Sequence, residues 1–163
     1  MRVSLTINGA AFSADVEPRM SLAQFVRSEV RLTGTHIGCD TSQCGACTLH
    51  VNGVALKSCT LLAVQADGAQ VTTIEGLAKD EKLHPMQEAF RHHHALQCGF
   101  CTAGMIMSAL DMLRREPLLD EVVVRHNLEG NICRCTGYYN IVEAILSGAA
   151  EMRKTSDTTA DEC

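Results

Sequence analysis

The sequence predicts an α+β protein in two parts, the first mainly β and the second helical. In the first half, two Asn-Gly dipeptides at 8–9 and 52–53 separate short alternating apolar runs, as is typical of β-hairpins. From about residue 84 the apolar residues recur at helical spacing instead. We therefore expect domains at 1–78 and 84–153, a polar linker at 79–83 and a flexible, aperiodic tail at 154–163.

The first half is predicted to be strand-rich around one short helix. Ser21 and Gln24 resemble a capping box at the start of that helix. Three glycines among three cysteines between 33 and 47 are typical of a loop wrapped closely around a ligand. The predicted elements are a hairpin over 1–16, a helix over 21–30, a hairpin over 49–59 and a strand over 71–74.

The second half is predicted to be a small helical bundle. Pro117 is expected to stop its second helix, and Asp120 and Asn140 are candidate N-caps for the third and fourth. Methionines 105, 107 and 112 recur at helical spacing and are expected to pack in the core. The predicted helices cover 86–90, 102–115, 120 to about 130, and 140 to about 152.

Composition excludes several classes of protein. The 163 residues are 46% apolar and 20% charged, which is typical of a folded chain. A net charge of −5 without a basic run argues against a nucleic-acid surface, and no apolar stretch approaches the roughly 18 residues of a membrane span. Nine cysteines in a chain without a signal-type segment favour a cytoplasmic protein whose thiols bind metal or do redox chemistry.

Four cysteines in the first half have the spacing of a plant-type 2Fe-2S site. Cys39, Cys44 and Cys47 follow the pattern C-x4-C-x2-C, and Cys59 is the fourth. Two irons each need two thiolates, and a glycine-rich loop can bring three sulfurs to one cluster while its backbone N–H groups donate to the sulfides. Zinc is the alternative, although structural zinc sites favour two tight Cys pairs.

Four more cysteines in the second half form a second group. Cys98 and Cys101 stand before one predicted helix, and Cys133 and Cys135 before another, so two helix ends can face one cluster. A zinc ribbon is again the alternative, but one residue between two thiolates is tight for a zinc knuckle. Cys163, at the last position, is left over and is expected to be a bystander.

The segments that carry these cysteines resemble the iron–sulfur subunit of molybdenum hydroxylases of the xanthine dehydrogenase family, in its bacterial heterotrimeric form. The resemblance runs from the first strand to about residue 150. Its motifs are GCD at 38–40, CGAC at 44–47, QCGFC at 97–101 and GNICRCTGY at 130–138.

The resemblance implies a plant-type ferredoxin-like β-grasp domain, then a four-helix-bundle domain, each with one 2Fe-2S cluster. It implies a large partner subunit with molybdopterin, usually as the cytosine dinucleotide, and a medium partner with FAD, in a dimer of heterotrimers. In the family, the residues matching Gln97 and Cys135 lie beside the pterin. Electrons would pass from molybdenum through the helical-domain cluster and then the ferredoxin-like cluster to FAD, so this chain alone would catalyse nothing.

Two other classes of function are compatible with the cysteines. A stand-alone ferredoxin-type carrier would need only the first domain, and the helical domain argues against it. A zinc-binding interaction module would be colourless and redox-silent. The consecutive histidines at 92–94 do not suggest a metal site, because neighbouring helical positions point in different directions.

Overall fold

The computed structural model describes residues 1–116 and 118–160, with side chains as far as residue 154. The first half contains a single sheet of order β2-β1-β5-β3-β4, in which β1 and β5 are parallel and the other neighbours antiparallel. Its elements are β1 (Arg2–Ile7), β2 (Ala10–Asp15), α1 (Leu22–Ser28), β3 (Thr48–Val51), β4 (Val54–Lys57) and β5 (Gln70–Thr72).

Both predicted hairpins are confirmed, together with their turns. Asn8 and Gly9 have φ values of 50° and 85°, and Asn52 and Gly53 have 51° and 80°. Two successive positive φ values are the requirement of a type I′ turn, which Asn-Gly meets with little strain. The last strand is shorter than predicted: β5 ends at Thr72, and Ile74 begins a 3-10 turn.

The core of the first half lies between the sheet and α1. The alternating residues of β1 are buried, and Phe25 and Val26 of α1 are fully inaccessible to solvent. The predicted capping box is also confirmed, because Ser21 Oγ accepts from Gln24 N and Gln24 Oε1 accepts from Ser21 N. This helix precedes the cysteine-bearing loop, and its Arg27 side chain donates to two backbone carbonyl oxygens at the start of that loop.

The second half contains four α-helices among the described residues. The N-cap predicted for the third of these helices is confirmed, since Asp120 Oδ1 accepts from Val123 N at 2.8 Å. Pro117, the predicted helix stop, lies outside the described residues. The helices are α2 (Pro85–His92), α3 (Thr102–Arg115), α4 (Glu121–Asn127) and α5 (Tyr139–Ala160).

Two predictions about α5 are corrected. The helix begins at Tyr139, so Asn140 is not its N-cap, and the Asn140 amide donates instead to the carbonyl oxygen of His94. The helix also continues to Ala160, through part of the tail predicted from residue 154. Extending a formed helix adds one hydrogen bond for each residue fixed, without the cost of a new nucleus. Cys163 lies outside the described residues.

The helical core is rich in methionine, as predicted. Met105 and Met112 lie in this core with Met86 of α2, and Met107 is buried as well. Flexible thioether side chains can fill irregular space between packed helices. The predicted linker is compact, because Lys79 and Lys82 pair through two backbone hydrogen bonds of 3.0 and 2.8 Å.

The two halves are in direct contact along α3. His50 Nε2 of β3 lies 2.8 Å from the carbonyl oxygen of Met107, and the amide of Ala55 in β4 donates to Asp111 Oδ1 at 3.3 Å. A Cβ at Gly104 would lie 2.1 Å from the carbonyl oxygen of Gly45. The helix thus passes backbone-to-backbone over the cysteine-bearing loop, which places the two cysteine groups side by side.

Within the described part of the chain, no helix combines the length and the apolar character that crossing a membrane requires.

Candidate metal centres

The first site is built on the loop before β3. Cys39, Cys44 and Cys47 come from this loop, and Cys59 follows β4. The Cys44 amide donates to Cys39 Sγ at 3.4 Å. This N–H and that of Thr41 lower the pKa of the Cys39 thiol to about 6, while burial raises the pKa of Cys47, which touches Cys59, to about 11. Backbone amides therefore already point at a sulfur of the site.

Close approaches hold this loop in place. Gly45 has a φ of 74°, and a Cβ there would lie 2.5 Å from the carbonyl oxygen of Gly130. A Cβ at Gly38 would lie 3.1 Å from Cys44 Sγ. Lys57 Nζ donates to the carbonyl oxygen of Ser42 at 2.8 Å, which ties the loop to β4. A larger residue at Gly45 would push against Gly130, and one at Gly38 would push against Cys44 Sγ.

The second site joins two helix entries, as the sequence predicts. Cys98 and Cys101 precede α3, and Cys133 and Cys135 precede α5. Cys135 Sγ lies 3.5 Å from Cys98 Sγ at the surface, whereas Cys101 and Cys133 are paired farther inside.

The pKa values in the second site move in opposite directions within each pair. Amide and thiol hydrogen bonds lower the pKa of Cys98 and the Cys98 thiol raises that of Cys135. Burial raises the pKa of Cys101 to about 12, whereas hydrogen bonds from Thr136 and nearby amides outweigh burial and lower that of Cys133. Two adjacent thiolates repel each other, so four deprotonated cysteines in this site would need a nearby positive charge to stabilise them.

The pairing of the cysteines suits two-iron clusters. The eight thiols fall into four pairs: 39 with 44, 47 with 59, 98 with 135, and 101 with 133. Among the described residues, no three His, Cys, Asp or Glu side chains are grouped to hold one metal ion. A 2Fe-2S cluster takes two thiolates on each of two irons, so two pairs per site match its demand.

An orphaned hydroxyl adjoins the second site. Thr102, which follows Cys101, holds the one buried side-chain oxygen in the described residues that has no hydrogen-bond partner within the chain. Buried hydroxyls rarely lack an acceptor, so a bound group with acceptor atoms beside Cys101 would satisfy this hydroxyl. The sulfides of a bound cluster would supply such acceptors.

Sequence reasoning missed the polar residues that shape the second site. Tyr138 has a φ of 69°, and its hydroxyl accepts from the Cys133 amide at 2.9 Å and donates to the carbonyl oxygen of Asn131 at 3.0 Å. The Thr136 hydroxyl lies 3.2 Å from Cys133 Sγ. These residues stand inside the cysteine motif, and that proximity was the only signal in the sequence.

Asn131 connects the two sites. Its buried side chain accepts from Ser108 Oγ at 2.9 Å and donates to the carbonyl oxygen of Gly45 at 3.3 Å. The next amide, that of Ile132, donates to the carbonyl oxygen of Cys44 at 2.9 Å. Two hydrogen bonds therefore join the loop of the first site to the segment that carries Cys133.

One cavity of about 240 Å³ adjoins both sites. It is lined by Cys44 of the first site and by all four cysteines of the second, with Phe100 and Ile132. The Phe100 ring stacks on His36 with centroids 4.7 Å apart, which fixes one wall. The space beside the second cysteine set thus lies against Cys44 of the first.

The outer edge of the second site is an exposed surface that includes Gln97. Gln97, Cys98 and Cys135 are all exposed. Large apolar side chains are exposed near them in the chain, with Phe100 47%, Ile132 55% and Tyr139 65% accessible. The histidines at 92–94 end α2, where the rings of His92 and His93 make an edge contact.

Family comparisons agree with this two-site geometry. Residues 5–78 match the model of a 2Fe-2S iron-sulfur cluster binding domain, and residues 73–146 match that of a [2Fe-2S] binding domain. The class of protein is therefore one with two 2Fe-2S-binding domains in tandem.

Similar proteins are subunits of larger oxidoreductases. The chain is 47% identical to the beta subunit of the 6-hydroxypseudooxynicotine dehydrogenase complex of Paenarthrobacter nicotinovorans, over 89% of this chain and 91% of the relative. It is 45% identical to caffeine dehydrogenase subunit gamma of Pseudomonas sp. (strain CBB1), over 95% and 96%.

A solved structure is similar along almost the whole chain. A chain of quinoline 2-oxidoreductase from Pseudomonas putida 86 is 49% identical, with a TM-score of 0.91 over 94% of this chain and 96% of that one. This chain belongs to the small iron–sulfur subunits of the xanthine dehydrogenase family of molybdenum hydroxylases. It is thus part of a multisubunit oxidoreductase, and molybdopterin and FAD in partner subunits are consistent with the family.

Proposed function

We propose that this chain relays electrons, one at a time, from a molybdopterin centre through two 2Fe-2S clusters to FAD. The order would be the helical-domain cluster first and the ferredoxin-like cluster second. The observation that carries the proposal is the arrangement of eight cysteines in four pairs around adjacent sites. Adjacent sites suit sequential one-electron transfer, whereas a stand-alone carrier would need only one.

The proposed ligands are two complete sets of four cysteines. Thiolates are the usual ligands of such clusters, and the glycine-rich loop and the two helix entries supply them in pairs. The sheet order and α1 support a β-grasp description of the first domain, and α2 to α5 support a four-helix bundle for the second. The first set is Cys39, Cys44, Cys47 and Cys59, and the second is Cys98, Cys101, Cys133 and Cys135.

The exposed edge of the second site is the proposed contact with the molybdopterin subunit. Gln97 and Cys135 would lie beside the pterin, where the Gln97 amide can donate and accept hydrogen bonds. The nearby exposed apolar side chains suit burial against a protein partner. The medium FAD subunit would lie near the first site, in a dimer of heterotrimers in the cytoplasm with molybdopterin cytosine dinucleotide in the large subunit.

The proposal is tested by breaking each set separately in the assembled complex. An alkoxide is a harder and poorer iron ligand than a thiolate, so Cys101→Ser should remove the helical-domain cluster and strand electrons on molybdenum. Cys47→Ser should leave that cluster reducible by substrate while FAD stays oxidised. Rapid-freeze paramagnetic resonance after mixing with substrate distinguishes the two outcomes.

Iron analysis and a matched variant complete this test. The parent complex should hold about four irons and four sulfides per chain, since each set binds one two-iron cluster. Cys163→Ser should change neither metal content nor kinetics, because this cysteine is predicted to be a bystander. Reduction of the helical-domain cluster in the Cys47 variant but not in the Cys101 variant is expected, and the reverse pattern would overturn the order.

A further inference from the structure

The inner cysteine pair of the second site has a hydroxyl group beside it that the proposed ligand set does not use. Thr136 Oγ1 lies 3.2 Å from Cys133 Sγ. Thr136 is only three residues from Cys133, and it is half-buried. No matching contact with a hydroxyl is made by Cys98 or Cys135, whose sulfurs lie against each other at the surface of the described chain.

The direction of this hydrogen bond follows from its neighbours. The backbone N–H of Tyr138 donates to Thr136 Oγ1 at 3.2 Å, so the hydroxyl oxygen already accepts one bond. A cysteine that binds iron is a thiolate and has no proton to donate. The Thr136 hydroxyl must therefore be the donor and Cys133 Sγ the acceptor.

The geometry of Thr136 is held by the residues around it. Tyr138 adopts a positive φ of 69°, which is costly for a non-glycine residue, directly after Gly137 at 66°. Its hydroxyl accepts from the Cys133 amide and donates to the Asn131 carbonyl oxygen, so the start of the 131–138 segment is tied to the side chain at its end. The backbone of Tyr138 and its ring thus hold Thr136 and Cys133 in a fixed relation.

We propose that Thr136 is a positioning residue that acts through Cys133 and raises the reduction potential of the helical-domain cluster. Reduction adds one electron, and hence one negative charge, to the cluster and its thiolates. A hydrogen bond to a ligand sulfur stabilises that added charge more than it stabilises the oxidised state. The chain would in this way favour arrival of electrons at the cluster proposed to lie nearest molybdenum. The inference rests on the proposed ligand set.

The experiment compares Thr136→Val with Thr136→Ser in the assembled complex. Valine keeps the shape of threonine without the hydroxyl, and serine keeps the hydroxyl. Redox titration followed by paramagnetic resonance gives the midpoint of each cluster. In the valine variant we expect the ratio of reduced to oxidised helical-domain cluster, at a given potential, to fall about tenfold, or about 59 mV for a one-electron couple.

The controls distinguish this inference from the proposed function. Serine should retain the parent potential, and the ferredoxin-like cluster should titrate identically in all three proteins. An unchanged midpoint in the valine variant, or an equal fall in the serine variant, would overturn the role of Thr136 with the ligand set still standing. A parent complex without iron in the helical domain would instead overturn the proposed function.

Thr136→Ala provides a second route if the valine variant binds no cluster. Alanine removes the hydroxyl and leaves more space beside Cys133, so assembly is less demanding. Its midpoint should also fall, and a midpoint equal to that of the parent would count against the proposal.

Discussion

At the scale of single residues, Gly104 shows how little space separates α3 from the first site. A Cβ there would lie 2.1 Å from the carbonyl oxygen of Gly45 and 3.1 Å from the Cα of Ala46, both backbone atoms of the cysteine-bearing loop. Backbone atoms cannot rotate away from an added Cβ as the end of a flexible side chain can. The glycine is therefore required by packing, although it weakens a helix interior by about 1 kcal/mol relative to alanine.

We expect Gly104→Ala to destabilise the chain by roughly 1–3 kcal/mol, the usual cost of overpacking, in spite of the better helix propensity. Thermal loss of visible absorbance, which follows loss of the clusters, is the measurement. Gly148→Ala in α5 is the matched control. A Cβ at Gly148 would first meet the flexible thioether of Met86, at 2.8 Å. The thermal midpoint of Gly148→Ala should therefore fall less than that of Gly104→Ala. Equal midpoints for the two variants would contradict the interpretation of α3.

At the scale of elements, α2 begins on a titratable cap. His84 Nδ1 accepts from the Met86 amide at 3.2 Å, and the Gln87 side chain accepts from the His84 amide. Burial, with a smaller effect from Lys79, lowers the pKa of His84 below its ordinary value of 6.5. Because Nδ1 of His84 accepts a hydrogen bond in this cap, the imidazole ring must be neutral. The entrance of the helical domain is thus sensitive to acid.

The sign of the pH effect follows from linkage. The unfolded chain protonates His84 at a higher pH than the folded chain does, so this contribution to stability is present above pH 6.5 and is lost as the pH falls toward the folded pKa. Between about pH 7.5 and 5.5 the parent should therefore lose more thermal stability than His84→Asn, because asparagine caps without titrating. If the melting temperature changed equally with pH in the two proteins, the assignment of His84 as the cap would be refuted. The other six histidines are common to both.

At the scale of the whole molecule, Asp111 joins the two halves. Its largely buried carboxylate accepts from Arg114 and Arg115 on its own helix and from the Ala55 amide across the interface. Burial alone would raise the pKa of Asp111, but these hydrogen bonds hold it below its ordinary value. The contribution of ionised Asp111 to the stability of the folded chain is therefore present above its ordinary pKa of 3.8. It is lost only as the pH falls through the lower pKa of the folded state.

Asp111→Asn should lower the free energy of unfolding by about 1–2 kcal/mol, since the charge-assisted bonds weaken while the arginines stay partly solvated. The difference in melting midpoint from the parent should stay constant between pH 5 and 8, unlike that of the His84 variant. Glu121→Gln, which weakens an exposed ion pair with Arg125 within α4, is the matched control and should have little effect. A difference that disappears by pH 6 would show that Asp111 is not held as a carboxylate.

The sequence by itself determined the features that depend on local chemistry. Both Asn-Gly turns, the Ser21 capping box and the bounds of α3 were predictable, because each depends on residues close together in the chain. The cysteine spacing likewise predicted two four-thiol sets. The start of α5 was not predictable, since Asn140 is a good cap by type but is held by the His94 carbonyl in space.

Only the tertiary structure decided how the two cysteine sets meet. The pairing of Cys101 with Cys133, the close approach of Gly104 to Gly45 and the bonds from Asn131 to the first loop all join residues far apart in sequence. Such contacts arise from packing α3 against the sheet, and no local pattern encodes them. The sequence therefore determined the two sets of four cysteines, and the packing of the two halves decided that the two sets adjoin, because that packing brings the chain segments together.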